Sequence, residues 1–327
     1  MTYAPPARRH DGRLHAVEST SARGSVIAYL ILVHRFPEQF KRLFRAIYAP
    51  GNAYVVHVDA RSGPDLEQDI RTFLVPFLGA ELLPSRPAQW GGYSLVEAEL
   101  RGMSRLLEMN ADWDHFINLS GQDFPLRSQS AIRALLGRNR GREFIRVADQ
   151  ALTRPETMAR VGQISIEHPD RMERTGQDRP FLDGVRPYIG NQWMIVSRRF
   201  CQFACHDARA ERFKAFYRNT FIADEGFFQT LMMSTDEHGP ITGDDLRAID
   251  WVPDGDIKLR PRTYTMDDAT ALLASEALFA RKFDSEVDDD ILDLLEDALA
   301  PSGIAARPSA TRVLMRSHAA LNAGAGG

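Results

Sequence analysis

With 327 residues, 44% of them hydrophobic and 26% charged, the chain has an ordinary globular composition and enough apolar content for one large domain or two smaller ones. A net charge of −4 gives no reason to expect a nucleic-acid partner, although a phosphate site needs only a few well-placed cations. No apolar run approaches the roughly 20 residues that span a bilayer, the start lacks the apolar core of a signal peptide, and two cysteines, Cys201 and Cys205, make no disulfide framework. A reducing, cytoplasmic setting is therefore expected, with at most a peripheral association with the inner face of a membrane.

Residues 1–25, rich in Pro, Arg and Ser, read as a disordered lead, and folding is expected to begin at Val26. Val26 to Val33 is a continuous apolar run, the pattern of a strand buried on both faces. Pro37 opens a helix in which Phe40, Leu43, Phe44 and Ile47 form an i, i+3, i+4, i+7 stripe. A second strand covers Ala53 to Val58 and ends in Asp59, a helix follows over 64–78, and a short strand over Glu81–Leu83. The next helix starts near Ser94, read as an N-cap with Glu97 three residues on. Phe116 to Leu119 is an apolar strand core that runs into the polar turn Ser120-Gly121-Gln122-Asp123, and Pro125 stops the ladder. In an α/β protein a site residue belongs at such a carboxyl end, which singles out Asp123.

A helix at 128–138 and a strand over Phe144–Val147 continue the alternation. From 150 to 188 the sequence turns polar and irregular, the character of binding loops. Trp193–Val196 reads as a strand, followed by helices at 198–218 and 224–234, and a tail from Pro301 rich in Ala, Ser and Gly reads as disordered. Strand alternating with helix defines an α/β protein with a mainly parallel sheet. The dinucleotide fingerprint G-x-G-x-x-G and the P-loop are both absent, which sets aside a Rossmann dehydrogenase and a P-loop kinase.

Seven segments in order resemble one family: Ala28 to His34, Val56 to Asp59, Trp90-Gly91-Gly92, Phe116 to Leu126, Gly190 to Trp193, Ala223 to Phe228, and Phe279 to Phe283. The chain resembles the glycosyltransferase family of core-2/I-branching enzymes and peptide O-xylosyltransferases, and reads as a soluble, bacterial-type member. Asp245 to Trp251 and the Ala280-Arg281-Lys282-Phe283 segment look more like the xylosyltransferase branch. One departure is plain: such xylosyltransferases carry Asp before the tryptophan of the Gly-x-x-Trp segment, and Gln192 stands here. With that residue changed, UDP-N-acetylglucosamine is as plausible a donor as UDP-xylose.

The resemblance implies the GT-A nucleotide-diphosphosugar transferase fold over 26–300, with 26–150 as the nucleotide-sugar half and 151–300 as the acceptor and catalytic half. It implies an inverting, metal-independent transfer of xylose or N-acetylglucosamine from a UDP-sugar, forming a β-linkage to a glycan, lipid-linked saccharide or peptide. Many GT-A enzymes hold a divalent metal with an Asp-x-Asp motif, but the corresponding turn offers only Asp123, and hard cations want several oxygen ligands. The literal triplets Asp112-Trp113-Asp114 and Asp254-Gly255-Asp256 read as solvated turns. Without a metal or other cofactor, Arg281 and Lys282 would neutralise the leaving diphosphate, with Arg260 or Arg262 assisting. Glu225 falls on the family's general-base position, with Asp224 as the fallback. His34, Arg35, Asp59 and Trp90 would frame the nucleotide with Asp123, while Gln192 and Trp193 would face the sugar. A non-catalytic nucleotide-sugar or glycan binding protein on the same fold is the alternative. It has no use for Glu225, Arg281 and Lys282 together.

Overall fold

The computed structural model describes residues 24–109, 112–253 and 259–300, so most of the expected lead, the Asp254-Gly255-Asp256 turn and the tail from Pro301 lie outside the described residues. In chain order come β1 (Ile27–Val33), α1 (Pro37–Ile47), β2 (Ala53–Val58), α2 (Pro64–Leu74), β3 (Ala80–Leu82), α3 (Tyr93–Glu108) and β4 (His115–Ser120). They lead into β5 (Asp123–Pro125), α4 (Gln129–Arg138), β6 (Phe144–Ile145) and β7 (Ala148–Asp149). Short helices α5 (Gln150–Thr153) and α6 (Ala159–Gly162) precede a hairpin of β8 (Gln163–Glu167) and β9 (Met172–Asp178), then β10 (Tyr188–Ile189) and β11 (Met194–Ser197). Helices α7 (Arg198–His206), α8 (Ala208–Tyr217) and α9 (Phe227–Met232) follow, with β12 (Arg247–Ile249), β13 (Trp251–Pro253) and β14 (Leu259–Pro261). The described chain closes with α10 (Ala269–Ala274), β15 (Phe279–Arg281) and α11 (Asp290–Leu299).

Six strands form the central sheet in the order β3-β2-β1-β4-β11-β6. The first four run parallel, and β11 enters antiparallel between β4 and β6. This is the mixed, mainly parallel sheet flanked by helices that the alternation predicts. Strand periodicity divides β1 between two cores: Ile27, Tyr29, Ile31 and Val33 pack under α1, α2, α4 and α11, while Ala28 and Leu30 pack under α3, α7, α8 and α9. A strand covered on both faces needs apolar side chains at every position, which is the continuous run seen in the sequence. Cys201 is buried in the second core and Cys205 beside it, both free, and burial pushes both thiols up.

Several elements differ from the sequence reading for identifiable reasons. Helix α2 stops at Leu74, because Pro76 has no N–H to return to Thr72. Ser94 is not the cap of α3: Gly92 holds that place, the Ser94 hydroxyl accepts from Gln89 N–H at 2.7 Å, and its own N–H donates to Glu167 at 3.0 Å. The expected helix 198–218 breaks at Asp207, whose carboxylate accepts from Arg209 N–H at 2.8 Å and starts α8 afresh. The stretch read as irregular between 150 and 188 contains the β8–β9 hairpin, whose second strand is exposed and mostly polar and so lacks an alternating signature. The strand expected over Phe144–Val147 is paired only at Phe144 and Ile145. Asp114 is a structural acceptor for Val26 N–H at 2.9 Å rather than a solvated turn residue.

Helix α3 approaches the sheet closely at Gly102, where a Cβ would lie 2.6 Å from Leu30 Cδ1. Gly102→Val would overpack this contact and is expected to cost about 1–3 kcal/mol in urea unfolding. An unchanged unfolding midpoint would mean that α3 can shift without loss.

Candidate active site

The carboxyl ends of the parallel strands deliver His34 from β1, Asp59 from β2, and the Ser120–Asp123 turn from β4 to one edge of the sheet. Asp59 caps a single 3₁₀ turn, accepting from Arg61 N–H at 3.0 Å and from the Arg61 guanidinium at 2.8 Å. Burial opposes its charge, but the Arg61 hydrogen bonds prevail and hold the carboxyl below its usual range. Burial pushes His34 and His57 down to about 4, so both imidazoles are neutral near pH 7. His34, His57, Asp59, Arg61 and Trp90 line a cavity of 220 Å³. Trp90 is half exposed and meets Phe221 edge-on, with ring centroids 5.8 Å apart.

A larger cavity of 710 Å³ shares the wall formed by Trp90, Leu95, Gln192, Trp193 and Arg281. On its far side stand Asp224 and Glu225, in a 3₁₀ turn over Ala223–Glu225. The turn is set by Ile222, a β-branched residue in the left-handed region at φ 53°, whose N–H donates to Gly91 O at 2.7 Å. Glu225 is a quarter exposed, and Arg160 of α6 donates to its Oε2 at 2.6 Å. The Glu225 backbone carbonyl accepts from Gly190 N–H at 2.8 Å, which ties the turn to the loop bearing Asn191, Gln192 and Trp193. Gly190 is obligatory here, since a Cβ would sit 2.0 Å from Arg146 O. Asp224 is buried and its Oδ1 has no partner. Burial, with the adjacent Glu225 carboxylate, raises its carboxyl to about 7.

Arg281 closes the wall between the two cavities. Strand β15 pairs antiparallel with β5 and sets Arg281 opposite Asp123, with a 2.8 Å hydrogen bond between them. Asp123 is fully buried, and its second oxygen accepts from Ser120 N–H at 2.9 Å. Both of its oxygens are thus committed within the protein. Among the described residues no group of three His, Cys, Asp or Glu side chains could hold a metal ion. The Arg281 guanidinium lies 4.5 Å from the Trp193 ring centroid, a cation–π arrangement that restrains both side chains. Lys282 follows half-buried, and burial together with Arg281 and Arg35 lowers its ammonium pKa. Arg260 on β14 borders the larger cavity. Arg262 does not line either cavity: its guanidinium is taken up by Asp250 at 2.8 Å and Asp268 at 2.7 Å.

The structure therefore gathers His34, Asp59, Trp90, Gln192, Trp193, Asp224, Glu225, Arg260 and Arg281 around two adjoining cavities, places Asp123 behind Arg281, and leaves Lys282 and Arg262 off both cavity walls. Three partners escaped the sequence reading: Arg61, which engages Asp59 on the wall of the smaller cavity, Arg160 and Glu99. Arg160 lies in the polar stretch with no periodicity to mark it. Glu99, fully buried in α3, had a legible signal: it interrupts an apolar stripe formed by Val96, Met103 and Leu106.

The family model for Core-2/I-branching enzymes matches residues 27–276, and the chain belongs to that family. It is 29% identical over 302 residues to xylosyltransferase 1 of Canis lupus familiaris, covering 86% of this chain and 31% of the relative. It is likewise 29% identical over 289 residues to a xylosyltransferase of Ciona intestinalis, covering 83% and 34%. Xylosyltransferase 2 of Mus musculus is 28% identical over 288 residues, covering 83% and 33%. The chain thus spans about a third of the length of these relatives. No helix among the described residues is long and apolar enough to cross a membrane.

The raised carboxyl of Asp224 makes a stability prediction. Its folded value of about 7 lies above the ordinary 3.8, so the contribution is fully present below about pH 3.8 and lost as pH rises through about 7. Relative to Asp224→Asn, the wild type should lose up to about 1.4 kcal/mol per pH unit across that window and then level off, as measured by urea unfolding. A difference constant with pH would show that Asp224 ionises as freely folded as unfolded.

Proposed function

We propose that the chain is an inverting glycosyltransferase that moves xylose or N-acetylglucosamine from a UDP-sugar to an acceptor hydroxyl, forming a β-linkage without a metal. The observation that carries this reading is the placement of Glu225 and Arg281 on one 710 Å³ cavity, with the Asp59–His34 cavity sharing its Trp193 wall. Uridine would occupy the smaller cavity, the diphosphate would lie at Arg281, and the sugar would reach across Trp193 and Gln192 towards Glu225 on a GT-A fold. Aromatic rings suit the apolar face of a sugar.

In the proposed step the acceptor oxygen attacks the anomeric carbon while its proton passes to Glu225. Arg160 takes Glu225 Oε2, which leaves Oε1 for that proton. The bond from the anomeric carbon to the diphosphate oxygen breaks on the opposite face, and its electron pair goes to the leaving UDP. Arg281 receives the developing charge, Arg260 on the same cavity adds to the field, and Lys282 follows Arg281 in the chain. The acceptor is a hydroxyl of a glycan, a lipid-linked saccharide or a peptide, approaching from the Glu225 side.

UDP release across a panel of UDP-sugars, with and without EDTA, tests the reading. One sugar should turn over, unaffected by EDTA, and Glu225→Gln should slow it by roughly 10²–10⁴-fold, the usual worth of a positioned base. Turnover abolished by EDTA would contradict the metal-free step. A Glu225→Gln variant at full rate would remove Glu225 as the base.

A further inference from the structure

The buried face of α3 carries a carboxyl that the proposed reaction does not use. Glu99 is completely buried, at the point where α3 crosses β4 beneath the shared wall of the two cavities. Its surroundings form a chain of hydrogen bonds whose directions are settled. Met194 N–H, which can only donate, gives its proton to Asn118 Oδ1 at 2.9 Å. That fixes the Asn118 amide, so its Nδ2 donates to Glu99 Oε1 at 2.8 Å and to the main-chain carbonyl of Gln192 at 2.9 Å. Glu99 Oε1 then accepts a second bond, from Gln192 Nε2 at 3.2 Å. An amide flip would set the Gln192 carbonyl against an oxygen already engaged as an acceptor, so this is the orientation the network selects.

The consequence lies on the other side of Gln192, which lines both cavities. With its NH₂ turned down to Glu99, it turns its side-chain carbonyl oxygen to the shared wall. We propose that Glu99 is a positioning residue that locks the Gln192 amide, so that the donor sugar is read by a neutral acceptor suited to a sugar hydroxyl. The inference rests on the UDP-sugar reading and adds to it the chemistry of the sugar contact. Burial, with Asp224 close by, raises the Glu99 carboxyl well above its usual range.

The test is the binding ratio between the UDP-sugar and UDP, measured by calorimetry, which isolates the sugar contact from the nucleotide and from turnover. For wild type the sugar should tighten binding relative to UDP. Glu99→Met, which keeps bulk but removes the acceptor, should cut that gain at least about fivefold and leave UDP affinity within about twofold, because a misplaced hydrogen bond is worth roughly 1 kcal/mol. Glu99→Gln, which can accept at the same place, should restore most of it. Glu99→Met combined with Gln192→Met should be no worse than Gln192→Met alone, since both remove one contact. A ratio unchanged in Glu99→Met, or additive losses in the double variant, would overturn the proposal while leaving the UDP-sugar reading intact. A wild type that binds UDP but gains nothing from any sugar would overturn both. Should Glu99→Met not fold, Gln192→Met decides: an undiminished ratio there removes the contact itself.

Discussion

The contact on which the rest of the site depends is the ion pair between Asp123 and Arg281, 158 positions apart in sequence. Asp123 is fully buried at the start of β5, and a buried carboxylate without a partner costs several kcal/mol. It can be tolerated there only if a cation arrives from elsewhere in the chain. Strand β15 brings that cation in register, and the same pairing seats Phe279 and Ala280 in the core under α1 and α11. Packing and charge thus specify the same docking of the carboxyl-terminal segment. One consequence is a guanidinium held at the mouth of the sheet, restrained by Asp123 below and by the Trp193 ring beside it.

Around that fixed cation the two cavities divide by chemistry. The smaller is built from strand ends of the parallel sheet, with neutral imidazoles and an aspartate engaged by arginine. The larger gathers Arg160, Arg260 and Arg281 with Asp224 and Glu225. Asp224 on its wall is pushed towards its neutral form by burial and by Glu225, and Glu99, buried off the wall, is pushed the same way by burial and by Asp224. The cavity therefore carries less negative charge than its residue names imply, which suits an anionic donor. The strained turn at Ile222 and the close approach at Gly190 hold Glu225 opposite Arg281 on backbone contacts rather than on flexible side chains.

Much of this was legible in the sequence where a single local rule applied. The unbroken apolar run of β1, the stripe of α1 and the Asp-bearing ends of β2 and β4 could be read because burial on two faces, helical period and strand polarity leave direct marks. Where a tertiary contact replaces the local rule, the local mark misleads or is missing. Ser94 has the spacing of a capping box, but a carboxylate from the β8–β9 hairpin occupies the helix start instead. Arg262 stands two residues from Arg260 with the same side chain, and only the loops bearing Asp250 and Asp268 decide that it serves structure. Glu99 was visible as an acid on a buried stripe, yet nothing local shows that it faces Asn118 and Gln192.

Whether Arg281 anchors a nucleotide diphosphate is decided by a crystal structure of the chain with UDP bound. The diphosphate oxygens should lie within about 2.7–3.2 Å of the Arg281 guanidinium, with the uridine in the cavity of His34 and Asp59. UDP bound with its diphosphate turned away from Arg281, or seated outside these two cavities, would contradict that anchoring.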